Sequence, residues 1–245
     1  MAVTNGDDIS DNTVLPSDLA FWKKNLQDVV GHMLSDVGSY TREQQQEQLN
    51  FISQHVLPVM GKSAERKNAP YFLTPTGCGW EPSINFTDKD VNPVVRYTLE
   101  ALGPHAGSDE DLWGIKAAYN ILPQLASVTP GADLRWFNAL LPIFTPTAEE
   151  FDKAQTVLSP RTKPCPKCSV AFDLKGGNRS MKTYFFPPVK SIASGTKTED
   201  LVFPALHQLS DSGPSLEPAL GNVETYIRSL DEEMRVLALG SMYMP

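Results

Sequence analysis

Positive charge is scarce in this sequence. Lysine and arginine number 21 against 29 aspartates and glutamates, a formal net charge of -8 over 245 residues. A general nucleic-acid binder needs a basic face, so the charge argues against that class, although it does not exclude a locally basic pocket. Long apolar runs are missing as well: none approaches the ~20 residues of a membrane-spanning helix. The opening stretch, MAVTNGDDISDNTVLPSD, has neither the basic nor the apolar segment of an export signal. These absences predict a soluble cytoplasmic protein with no membrane and no nucleic-acid partner. Histidine and cysteine are few. His32, His55, His105 and His207 are scattered without metal-ligand spacing and read as surface or capping residues. Cys165 and Cys168 form Cys-Pro-Lys-Cys, but a structural zinc needs about four ligands, and Cys78 has no close cysteine or histidine companion. The pair also opens a strand, whereas a redox pair usually sits between strand and helix. Free thiols and no bound metal are expected.

What is present is ordinary globular composition, 41% hydrophobic and 20% charged, on a chain long enough to bury a real core. Two alternating stretches, 167–175 and 180–187, are joined by Gly176-Gly177-Asn178-Arg179, residues that suit a hairpin because they accept positive φ. Alternation puts Val170, Phe172 and Leu174 on one face of the first strand, with Ala171, Asp173 and Lys175 on the other. In the second, Met181, Thr183 and Phe185 share a face opposite Lys182, Tyr184 and Phe186. One face is apolar. The other carries two lysines and a tyrosine, which suits an anion held beside an aromatic or cationic group and equally suits a sheet with one wet side.

Along the chain, residues 1–16 are polar and acidic and are expected to be a disordered tail. Asp7-Asp8-Ile9-Ser10-Asp11 is a literal DDxxD, but no helical frame aligns its carboxylates. A helix is predicted from an N-cap at Ser17 through Trp22, Leu26, Val30 and Leu34 to Gly38. A second begins at the Thr41/Gln44 capping box and runs through Leu49, Ile52 and Val56 to Gly61. A strand pair follows, with Glu81, Ser83 and Asn85 sharing one face and Arg96, Thr98 and Glu100 sharing another. Helices are then expected after Ser108, Asp133 and Thr147, next the hairpin, then helices over 198–209 and 216–239. Helices, strand pair, helices, strand pair, helices: a repeated unit of this kind packs into one closed structure. Helices cover the apolar strand faces, so the polar faces line a shared cavity, as closed antiparallel barrels do around ligands. Four strands cannot close such a barrel. The expected fold is therefore α+β: about two ααββ repeats plus a further helical unit over 17–245, part of an incomplete barrel with helices outside and a polar lumen.

The motifs GWEPSINF at 79–86, NPVVRYTLEALGPHAG at 92–107, DLRWF at 133–137, AFDLKGG at 171–177 and MKTYFFPPVKSIASG at 181–195 resemble the N-terminal half of fungal aromatic prenyltransferases of the dimethylallyltryptophan synthase type. The resemblance runs from about Phe21 to Leu206, and the family chain is about twice this length. It implies the ABBA barrel of ααββ repeats. It also implies transfer of a dimethylallyl group from its diphosphate to an indole or related aromatic, without metal or other cofactor, in alkaloid biosynthesis. By resemblance Glu81 matches the carboxylate that holds the indole N–H. Arg96 and Lys182 match diphosphate-binding residues. Lys175 matches a proton acceptor or diphosphate contact, and Tyr184 matches a tyrosine that shields the allylic cation. The resemblance also leaves open a truncated, non-catalytic half-barrel that acts as a binding or assembly partner, for a second chain or for itself.

Overall fold

The first apolar stripe folds into a helical rod. It consists of α1 (Pro16–Trp22), a wider π-helical turn over Lys23–Gln27 and α2 (Asp28–Asp36). Its start is set by Asp18 rather than Ser17. The Leu15 N–H donates to Asp18 Oδ2 (2.7 Å), Pro16 takes the first helical position, and Asp18 Oδ1 accepts from the Ser63 N–H (2.8 Å). The second rod begins as expected on a capping box. The Gln44 N–H donates to Thr41 Oγ1 (3.3 Å) and the Thr41 N–H to Gln44 Oε1 (3.0 Å). It runs as α3 (Arg42–Phe51), a π-helical segment Ile52–Val56 and a 3₁₀ turn Leu57–Val59. The rods end at Gly38 and Gly61, whose φ values of 67° and 68° belong to the left-handed region.

The computed structural model describes residues 15–63, 71, 73, 74, 78–86, 92–100, 115–157, 168–210, 217–230 and 239–243. The acidic Asp7–Asp11 pattern, Ser108 and Cys165 lie outside the described residues. Five antiparallel strands form one sheet in the order β1 (Trp80–Asn85), β2 (Val94–Leu99), β3 (Cys168–Lys175), β4 (Asn178–Phe185) and β5 (Leu239–Tyr243). Between the strand pairs lie α4 (Ile115–Ser127), α5 (Arg135–Phe144) and α6 (Ala148–Val157). After β4 come α7 (Pro187–Ser194), α8 (Thr198–Ser210) and α9 (Glu217–Ser229).

Two elements differ from expectation. The stretch 216–239 is not one helix: α9 ends at Ser229, and β5 pairs with β4. A third repeat therefore starts within the chain. The helical stripe read over 216–239 runs past the end of α9 and stops where β5 starts, residues 231–238 lying outside the described residues; period alone does not part a short helix from a short strand. Pro187, read from sequence as the end of a strand, opens α7 with Pro188 after it, because proline at the first turn of a helix lacks an N–H that would go unpaired anyway.

The core lies between the helices and one face of the sheet. Val95, Tyr97, Leu99, Val170, Phe172, Leu174, Met181 and Phe185 are buried in one cluster with Trp22, Leu26 and Phe51 of the first two rods and Phe137, Leu141 and Phe144 of α5. The Phe51 and Phe172 rings meet edge to face at 5.2 Å, and Phe137 stacks on Phe185 at 5.9 Å. Trp80, at the start of β1, belongs to this core. Among the described residues, β1 and β5 each have a strand neighbour on one side only. Pro82 in β1 suits such an edge.

Candidate active site

The β3–β4 hairpin turns more tightly than its sequence suggested. Asn178 already pairs with Lys175, which leaves Gly176 and Gly177 as the loop. Gly176 has φ 58°, as the first central position of a II′ turn requires. Helix α3 grips this turn. Gln48 Nε2 donates to the carbonyls of Gly176 (2.8 Å) and Asn178 (2.9 Å), and its Oε1 accepts from Arg179 Nε (3.1 Å). The Arg179 guanidinium sits 4.1 Å from the centre of the Phe51 ring. One strand over, the buried Tyr40 hydroxyl donates to the Leu174 carbonyl (2.5 Å) and accepts from the Val95 N–H (3.0 Å). These ties fix the register of β2, β3 and β4.

Directly opposed residues of an antiparallel sheet project from the same face. One row reads Glu81, Thr98, Ala171, Lys182; the next reads Ser83, Arg96, Asp173, Ser180. Tyr184 is opposite Ser169, and Lys175 is opposite Asn178. Glu81, Arg96, Lys175, Lys182 and Tyr184 thus share the face turned away from the core.

Within that face the five do not all meet. Lys182 Nζ donates to Asp173 Oδ2 at 2.6 Å, with both side chains buried. Arg96 Nε stands 3.2 Å from the other oxygen, Oδ1, with its N–H out of line for a hydrogen bond. Tyr184 is half-buried beside them. Burial raises its phenol pKa, the Asp173 charge adds to the rise, and Arg96 opposes it, so the ring stays neutral at ordinary pH. Glu81 is exposed on edge strand β1, two strands from Asp173 and one row along. Lys175 is exposed at the turn end of β3. It lies two rows, about 13 Å along the strands, from the row of Glu81. The structure therefore gathers Arg96, Asp173, Lys182 and Tyr184, and leaves Glu81 and Lys175 on opposite flanks of that cluster.

Two residues on this face had no role in the sequence reading. Asp173 was placed on the right face by alternation but given no partner. Ser169, also on it by alternation, is 1% exposed, and its hydroxyl has no hydrogen-bond partner among the described residues. Elsewhere, Cys78 and Cys168 are free thiols. Burial pushes the Cys168 thiol up to about 12, which makes a reactive thiolate unavailable there. Among the described residues no three His, Cys, Asp or Glu side chains form a group that could hold a metal, and no helix is long and apolar enough to cross a membrane.

Comparison with known proteins agrees with this architecture. The family model for tryptophan dimethylallyltransferase matches residues 18–241. The indole diterpene prenyltransferase terF of Tolypocladium album is 34% identical over 202 residues, covering 78% of this chain and 46% of that protein. The indole prenyltransferase tdiB of Emericella nidulans is 28% identical over 223 residues, covering 90% of this chain and 52% of that one. The crystal structure of AnaPT from Neosartorya fischeri superposes with a TM-score of 0.82 at 27% identity, over 94% of this chain and 58% of that one. The NotF prenyltransferase, at 21% identity and a TM-score of 0.80, shares the fold. The sheet with helices on its apolar face is thus part of an ABBA barrel, and the chain spans about half the length of the curated relatives it matches. It belongs to the tryptophan dimethylallyltransferase family.

Proposed function

We propose that this chain supplies the N-terminal half of the catalytic barrel of a metal-independent aromatic prenyltransferase of fungal alkaloid biosynthesis. It would transfer a dimethylallyl group from its diphosphate to an indole or related aromatic. The observation that carries this reading is the Arg96–Asp173–Lys182 cluster beside Tyr184 on the polar face of the sheet. In the reaction the allylic C–O bond breaks, its electrons leave on diphosphate, an indole carbon attacks the cation, and a base takes the ring proton. Arg96 and Lys182 face the leaving diphosphate and stabilise its charge in place of a metal ion. The neutral Tyr184 ring presents its π face to the allylic cation. Glu81 accepts the indole N–H and fixes the ring. The place of Lys175, one row beyond Arg96 and two from Glu81, suits contact with the diphosphate better than removal of a proton near the indole.

A second reading is favoured by the one-sided pairing of β1 and β5. Strand edges without a neighbour accept another strand, so in this reading β1 and β5 take on further strands, from the same polypeptide, a second copy or a separate chain, to complete the barrel. The test is light-scattering mass together with product analysis from dimethylallyl diphosphate and tryptophan, with and without EDTA. Self-association, little turnover alone and full retention in EDTA of whatever turnover exists are expected. An open polar face lets water quench the cation before an aromatic ring traps it. Complete loss of rate in EDTA would overturn the metal-independent reading. Turnover near 1 per second by a monomer would show that half a barrel suffices.

A further inference from the structure

The residue at the centre of the cluster is an acid. Asp173 is 3% exposed, on a face that the proposed function assigns to an anionic ligand. A buried carboxylate there repels diphosphate, so its presence needs a reason. Its contacts give one. Lys182 is itself buried, and its ammonium offers three N–H donors, of which Asp173 Oδ2 takes one at 2.6 Å. Arg96 turns its Nε edge to Oδ1 at 3.2 Å, and its two Nη groups find no partner among the described residues. Asp173 therefore occupies the near side of both cations and leaves their far sides open. It also prevents two adjacent positive groups, one buried, from repelling each other while no ligand is present. The frame behind it is rigid, because Asp173 lies two residues from Lys175 at the turn that Gln48 clamps, and directly beyond it Leu174 is tied by Tyr40.

We propose that Asp173 is a positioning residue: its two oxygens hold the Arg96 guanidinium and the Lys182 ammonium side by side, with the Nη groups of one and the remaining N–H donors of the other directed to a single diphosphate. This inference rests on the proposed diphosphate role of Arg96 and Lys182. The carboxylate stays in place when the ligand arrives, so bound diphosphate meets two preset donors and loses little in ordering them.

The test is a double-mutant cycle on the 245-residue chain, read as affinity for inorganic diphosphate by titration calorimetry at fixed ionic strength, with thermal melting to follow folding. The four proteins are the unaltered chain, Asp173→Asn, Lys182→Met and the double variant. The double variant removes both members of the buried pair, so it keeps the cycle readable if Asp173→Asn alone folds poorly. Asp173→Asn is expected to weaken diphosphate binding about tenfold, since one charge-assisted hydrogen bond must be re-formed without its template. In the Lys182→Met background the same change should have at most a twofold effect, because the cation through which Asp173 chiefly acts is gone. A carboxylate that merely supports the fold would instead weaken binding equally in both backgrounds, and that equality overturns the proposal. So does Asp173→Asn binding diphosphate as tightly as, or more tightly than, the unaltered chain, which would make Asp173 only a repulsive charge and leave the roles of Arg96 and Lys182 standing. No binding by the unaltered chain overturns the diphosphate role itself, and this inference with it.

Discussion

Replacing Gln48 by alanine tests whether α3 truly holds the hairpin that carries Asp173, Lys175, Lys182 and Tyr184. Gln48 is fully buried and makes three hydrogen bonds, two from Nε2 to the Gly176 and Asn178 carbonyls and one from Arg179 Nε to Oε1. A neutral hydrogen bond contributes about 1 kcal/mol net and one to a charged group about 1.5–3 kcal/mol. The simple sum is about 4 kcal/mol. Gly176 and Asn178 border solvent, so water re-pairs part of what is lost, which lowers the expected cost to about 2–3 kcal/mol. Arg179 keeps its stacking on Phe51 and its contact with Glu47 (3.6 Å), so the hairpin loosens without detaching. The assay is urea unfolding followed by circular dichroism, with the midpoint converted at constant m-value. Gln46→Ala is the control: Gln46 donates to Asn50 on the exposed side of the same helix, and its loss should cost under about 0.5 kcal/mol. A Gln48→Ala penalty no larger than that of the control would refute the claim that α3 sets the hairpin.

Three further outcomes are expected. Gly79→Ala should lower stability by about 1–3 kcal/mol in thermal melts, because its Cβ would lie 2.1 Å from the ring of buried Tyr71, whose hydroxyl donates to the Met60 carbonyl; an unchanged melting temperature would mean the two do not pack as described. His207 places Nδ1 2.9 Å from Glu217 and Nε2 3.0 Å from Glu224, so both nitrogens must donate and the ring is charged. The Glu224 and Glu217 hydrogen bonds raise its pKa above the usual 6.5, so this tie between α8 and α9 is fully present below pH 6.5 and fades as pH rises through the raised value. Amide exchange in α9, corrected for intrinsic rate, should accordingly lose protection with rising pH, and His207→Ala should abolish that dependence. Arg228, which joins Glu224 of α9 to Asp200 of α8 (2.8 and 2.7 Å), keeps its charge throughout, so α9 is loosened rather than released.

Much of this arrangement was legible in the sequence because its signals were local. Period-two alternation placed Arg96, Lys182 and Tyr184 on the face they occupy, and capping chemistry located the start of α3 at Thr41. The Leu15–Asp18 start of α1 was hidden because Asp18 finds its second partner at Ser63, a contact that no local pattern encodes. Strand β5 was hidden because pairing with β4, rather than its own short run, makes it a strand. Alternation also could not say how far Lys175 stands from Glu81, since that distance depends on the register of β3 against β2 and β1. Asp173 was visible as a residue and invisible as a hub, because its partners come from two other strands.

The division of the sheet into a mainly apolar and a mainly polar face has a consequence for strand alignment. Suppose β3 mispaired with β2 by a single residue. Asp173 would turn inward toward the layer where Phe172 now meets Phe51 and Tyr97, while Phe172 would turn outward, since a one-residue slip reverses every side chain. A lone carboxylate forced into that apolar layer costs several kcal/mol, a large part of the total stability of a typical domain. The misaligned pairing is therefore disfavoured against the native one by that amount. The same charged groups proposed to hold a ligand thus also penalise strand alignments that hydrophobicity alone would tolerate.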